Sequence, residues 1–223
     1  MCGRFTLFHS IPDIARKFQV EAPASMQKAV QARYNVAPTQ DVVTITNDHP
    51  DQLTLVRWGL IPSWAKEESI GSRMINARAE TLAEKPSFKR LLHGRRCLIL
   101  ADGFYEWMQE SGSKLKTPMF INLNDNEPFA LAGLWDSWKR PDGSQLRTCT
   151  IITTEPNRLM SSIHNRMPAI LGPDARAEWL DSSQHDDQAL LHLLTAYPAQ
   201  QMQARPVSRR VNDTRYDNAD LIA

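Results

Sequence analysis

A chain of 223 residues suits one domain or two small ones. With 42% hydrophobic and 23% charged residues it can bury a core. A net charge of +1 excludes a global basic field, so any grip on phosphates has to come from a local cluster of arginines.

The strand-like runs fall mostly in the first two thirds and are read at 42–46, 53–60, 74–82, 97–107, 118–123, 129–138 and 146–154. Between the later runs, "ESGSK" (110–114) and "KRPDGSQ" (139–145) are hairpin-turn chemistry. Helices are predicted at "SIPDIARKF", which has a Ser cap and a Pro in its first turn, and at "KPSFKRLL". A further helix is read at "EPNRLMSSIH", where Leu159 and Ile163 stand four apart. "PDARAEWL", "DQALLHLLTA" and a late strand at "ARPVS" follow. No repeat or linker divides the chain. The expectation is one α+β domain over 1–223, with a bent, barrel-like, mostly antiparallel sheet flanked by short helices.

Cys2, Cys97 and Cys149 match neither a disulfide framework nor a zinc pattern. No run approaches the roughly 20 apolar residues of a membrane span, and the N-terminus lacks a signal-peptide core. A cytoplasmic protein without metal or cofactor is expected.

Several polar residues stand where a structural element would place apolar ones. In "INARAE", an extended chain puts Asn76, Arg78 and Glu80 on one face and Ile75, Ala77 and Ala79 on the other. That polar row is either a site or a solvated sheet face. Glu106 in "ADGFYEW" lies between Tyr105 and Trp107, where burial would raise its pKa; it is either a general acid–base or the partner of an arginine. His164 in "IHNRMP" ends a predicted helix, whose C-terminus would favour the imidazolium. A structural histidine fits the same place. The loop-like "RYNVAPTQ" and "WGLIPSWAK" offer Pro38 and Trp64 as a stacking platform, or as packing under a loop. Cys2 is either part of a frayed terminus or, once Met1 is removed, a free amine beside a thiol, which is a reagent for aldehydes.

Taken together, "MCGRF", "RYNVAP", "WGLIP", "INARAET", "ADGFYEW", "IHNRMP" and "PVSRRVN" resemble the SRAP (SOS-response-associated peptidase) family, in family order from residue 1 to about residue 212. Members of that family process abasic sites in DNA. The resemblance implies an α+β domain with a distorted barrel-like core, and single-stranded DNA carrying an abasic site as partner to a monomeric protein. It makes Cys2 the nucleophile and sets Asn76 to hold the product ring. Glu106 would act beside the Cys2 amine, and His164 would serve as acid or base. Arg78 and Arg166 match positions that grip phosphates, and Arg4, Pro38, Trp64 and Trp107 would line the same channel.

The chemistry suits those residues. An α-amine with a pKa of about 8 is roughly one tenth neutral at pH 7, against less than about one part in a thousand for lysine. The adjacent thiol can close an imine into a five-membered thiazolidine, which removes the C=N bond that promotes strand cleavage. Gly3 adds no bulk beside Cys2. Two other classes fit some of the same residues: a thiol peptidase built on Cys2, His164 and Glu106, acting in cis, and a non-covalent module for single-stranded DNA.

Overall fold

The computed structural model describes residues 2–110, 112 and 115–223, without the side chain of Ala29. The strands in chain order are β1 Phe5–Leu7, β2 Arg33–Val36, β3 Asp41–Thr46, β4 His49–Trp58, β5 Asn76–Arg78, β6 Arg96–Ala101, β7 Gly103–Gln109, β8 Lys116–Leu123, β9 Phe129–Lys139, β10 Gln145–Thr154, β11 Met167–Pro168, β12 Ile170–Leu171 and β13 Met202–Pro206. The α-helices are α1 Ile11–Phe18, α2 Ala24–Ala29, α3 Pro86–Gly94, α4 Pro173–Leu180 and α5 Asp187–His192.

The expected α+β class with a barrel-like sheet is what the chain adopts. In the larger sheet β10, β4, β3, β6 and β9 pair in that order, and β9 pairs back to β10 through Gly133↔Ile151. The ring is therefore closed, which removes its open edges. Its pairs are antiparallel except β4–β10, and β5 also joins β10 in parallel. The second sheet has the order β13-β8-β7-β1-β2.

Alternation along the strands sorts the core into layers. On β6, Leu98 and Leu100 pack toward the helices with Ile14, Leu91 and Trp179, while Cys97, Ile99 and Ala101 face the layer between barrel and second sheet. That burial on both faces explains the unbroken apolar run. On β7, Phe104 joins the layer between the sheets, whereas Tyr105 packs on the outer side with Phe120, Val211 and Leu221 of the C-terminal segment.

The run at 97–107 is two strands in two sheets, not one. Asp102 makes the break: it is buried, and its carboxylate takes the main-chain N–H groups of Phe8 and His9. Gly103 follows because a Cβ there would lie 2.3 Å from the Phe120 ring. The run at 74–82 is a strand only at 76–78 and then turns into a short 3-10 segment. "RYNV", read as loop, is β2, drawn into the sheet by β1. "EPNRLMSSIH" forms one 3-10 turn, Met160–Ser162, instead of an α-helix. α5 is shorter than predicted, and β13 begins two residues before "ARPVS". The turn at 139–145 is present, with Gly143 at φ 87°. The turn at 110–114 falls largely outside the described residues.

Candidate active site

β1 delivers the N-terminus to the layer between the sheets. It pairs with β7 through Phe5↔Phe104 and Thr6↔Gly103, and Tyr105 N–H donates to the Arg4 carbonyl at 2.9 Å. Continuing that antiparallel register sets Gly3 across from Glu106. Cys2 is fully buried in a core cluster that also holds Phe5, Trp58, Met119, Met160 and Ile163. Burial, followed by the nearby Glu106 charge, pushes its thiol well above the ordinary value. The Cys2 sulfur is therefore a neutral thiol, not a standing thiolate.

Asn76 reaches the same spot from β5. Its Nδ2 donates to the Cys2 carbonyl at 2.9 Å, and its Oδ1 is buried with no donor among the described residues. β5 is held by parallel pairing of Asn76 with Ile151. Ala77 packs into the core beneath, as the alternation of "INARAE" predicts.

Glu106 is 2% exposed, and burial raises its pKa. The cause differs from the sequence reading. On a strand, Tyr105 and Trp107 point to the other face. Glu106 is buried on the inner face instead, opposite Met119 of β8 and between Phe104 and Met108 on its own strand.

His164 follows the 3-10 turn whose Met160 and Ile163 pack in the cluster that holds Cys2. The Arg166 N–H donates to its Nδ1 at 3.0 Å. Burial lowers its pKa, and the Lys116 charge acts in the same direction. A helix end favouring the imidazolium was expected; with only a 3-10 turn before it, desolvation decides the sign. Lys116, on β8 across from Gln109, acts on Glu106 as well. The sequence reading missed it, because only the β7–β8 register brings it to the site.

The expected DNA contacts divide into three groups. Arg78 is exposed, and its guanidinium makes no hydrogen bond or ion pair among the described residues. Trp64 is 62% exposed on a loop anchored by Ser63 N–H to Asp136 at 2.8 Å. Asp136 pairs with Thr148, three residues along β10 from the Asn76 partner Ile151, or about 10 Å. Pro38 is half-buried in the turn after β2. Arg4 and Trp107 lie against the C-terminal segment: Arg4 donates to Asn35 Oδ1 and the Val211 carbonyl, and Trp107 Nε1 donates to Asn212 at 2.8 Å. Arg166 is only 13% exposed and already holds both oxygens of Glu80.

Two large grooves, of about 810 and 520 Å³, are lined by none of Cys2, Asn76, Glu106 and His164. Among the described residues no helix is long and apolar enough to cross a membrane, and no group of three or more His, Cys, Asp or Glu is placed to hold a metal.

Residues 1–214 match the family described as SOS response associated peptidase (SRAP). A similar protein, abasic site processing protein YoqW of Bacillus subtilis (strain 168), is 48% identical over 223 residues, covering 100% of this chain and 99% of that one. Abasic site processing protein HMCES of Rattus norvegicus is 37% identical over 197 residues, covering 75% of this chain and 55% of that longer one. A crystal structure of a protein from Bacteroides thetaiotaomicron superposes with a TM-score of 0.86 at 28% identity, covering 95% of this chain and 97% of that one.

Proposed function

This chain belongs to the SOS response associated peptidase (SRAP) family, and from that premise we propose that it processes abasic sites in single-stranded DNA by bonding them covalently to Cys2. The observation that carries the reading is the meeting of Cys2, Glu106 and the Asn76 amide in one buried layer, with Asn76 bonded to the Cys2 main chain.

Removal of Met1 frees the Cys2 α-amine. The neutral amine attacks the open-chain aldehyde of the lesion: a C–N bond forms and the oxygen takes up a proton. Water leaves to give the imine. The thiol then adds to the imine carbon, and its proton ends on nitrogen, so the thiazolidine forms with net loss of one water. Burial raises the pKa of Glu106, which helps it hold and return the protons these transfers require. The Oδ1 of Asn76, without a donor among the described residues, matches the N–H of the product ring. His164 acts where the aldehyde is masked as the closed sugar. Trp64 supplies a face for base stacking, and Arg78 a charge for phosphate. A chain terminus recessed between two sheets favours a single strand, because a duplex is too broad to bring its lesion there.

The test separates the two groups of Cys2. Cys2→Ala, correctly processed, keeps the amine and stops at the imine. Its adduct should be labile, trappable by borohydride and accompanied by strand cleavage. A heat-stable, unreduced adduct from Cys2→Ala would exclude sulfur as the closing atom.

A further inference from the structure

His164 Nδ1 receives the Arg166 main-chain N–H at 3.0 Å. A nitrogen that accepts an N–H cannot carry a proton of its own in that geometry, so a neutral imidazole held this way has its hydrogen on Nε2. The amide that sets this state belongs to a residue whose side chain is clamped. Arg166 Nη1 and Nη2 donate to the two oxygens of Glu80 at 2.7 and 2.9 Å, and Nη2 also donates to the Thr153 carbonyl at 2.6 Å. Thr153 stands where three strands meet, paired with Arg78 of β5 and Pro168 of β11. A fork of this kind fixes orientation as well as distance.

We propose that Glu80 is a positioning residue: through its fork with Arg166 it holds the Arg166 amide against His164 and so fixes His164 as the neutral tautomer that presents Nε2–H. The inference rests on the reading of the site as one for abasic sugars, and it refines what His164 does there. A neutral imidazole that lost its Nε2 proton would become an imidazolate, so His164 donates a hydrogen bond and transfers no proton. When the closed sugar opens, the hydroxyl proton at C1 travels through water to the ring oxygen as the ring C–O bond breaks. Nε2–H steadies the oxygen that carries negative charge in between, as a neutral histidine can. It also follows that the two Nη groups of Arg166 serve this clamp, which leaves Arg78 as the more open phosphate contact.

The test is a long-range proton–nitrogen correlation spectrum of the uniformly ¹⁵N-labelled free protein at mildly alkaline pH. The His164 ring is assigned by the signals lost in His164→Gln. The expected spectrum shows a pyridine-like Nδ1 and a pyrrole-like Nε2. Glu80→Ala should move both nitrogens toward averaged shifts, and Glu80→Gln, which still accepts from Arg166, should restore much of the difference. Glu80→Ala should slow adduct formation with an abasic oligonucleotide by about tenfold. Adding His164→Ala to it should bring the rate no lower than His164→Ala alone. A pyrrole-like Nδ1 in the unaltered protein, or unchanged ring shifts in Glu80→Ala, overturns the inference. Both spectra are recorded without DNA, so they decide it even if no adduct forms, whereas absence of any adduct would count against the abasic-site reading itself.

Discussion

The side-chain amide of Asn76 holds the main-chain carbonyl of Cys2 at 2.9 Å, across 74 residues of sequence. This bond joins the segment that leads into β1 of one sheet to β5, a strand paired on the barrel. It sets the distance between Cys2 and the amide oxygen of Asn76, which has no donor among the described residues.

Asn76→Ala removes both contacts. A hydrogen bond of this kind contributes about 1 kcal/mol net, so adduct formation should slow by about fivefold or more. Asn76→Asp should be slower still, because a carboxylate faces the Cys2 carbonyl oxygen where a donor stood. Single-turnover rates of the two variants check this. Equal rates for Asn76→Asp and the unaltered protein would remove Asn76 from the site.

Glu106 links rate to stability. Its folded pKa is raised, so the native state binds more protons than the unfolded state once the pH passes the ordinary carboxylate value. Its contribution to stability therefore falls as pH rises through that window. Glu106→Gln should flatten that fall and should not weaken the fold at neutral pH, while slowing adduct formation by about 10²–10⁴-fold. Denaturant titrations across pH, beside single-turnover rates, check both signs. A variant that lost stability at neutral pH and kept its rate would contradict the assignment.

His164→Ala should slow reaction with an abasic site and leave a simple open-chain aldehyde nearly unaffected, because the histidine acts only on the masked sugar. Glu106→Gln should slow both. If His164→Ala slows the open-chain aldehyde equally, His164 acts at the bond-forming step.

Arg78 and Arg166 should part company. Arg78→Ala should weaken binding on any sequence and reduce the salt dependence by about one phosphate contact. Arg166→Ala should leave the salt slope close to that of the unaltered protein, since its fork already holds Glu80. Binding titrations over a salt series measure both slopes. A larger change in slope for Arg166→Ala than for Arg78→Ala would show that phosphate displaces Glu80.

The barrel class was legible because the strand runs are long, and the apolar run at 97–101 is buried on both faces. The alternation of "INARAE" was legible over Asn76, Ala77 and Arg78, while Glu80 lies on the 3-10 segment that follows and Ile75 packs in the cluster that holds Cys2, apart from Ala77 and Ala79. What escaped depended on pairing between distant segments. "RYNV" has a polar Asn35 in its middle and reads as loop, yet Asn35 donates to the Val211, Asp213 and Tyr216 carbonyls of the C-terminal segment and is fully buried. Glu106 is buried for another reason than its sequence neighbours suggest: they face away from it, and its burial comes from a strand pairing. Lys116 and the Glu80–Arg166 fork carry no local signal, because β8 and the turn after β10 reach the site only through the fold.

The most direct measurement is the intact mass of the protein after mixing with a single-stranded oligonucleotide carrying one abasic site, followed by mapping of the modified residue. The account predicts one adduct that survives heat without reduction. Its mass should equal the chain without Met1 plus the oligonucleotide less one water, with the bond on Cys2. An adduct on a chain that retains Met1, or one mapped to a lysine, would contradict it.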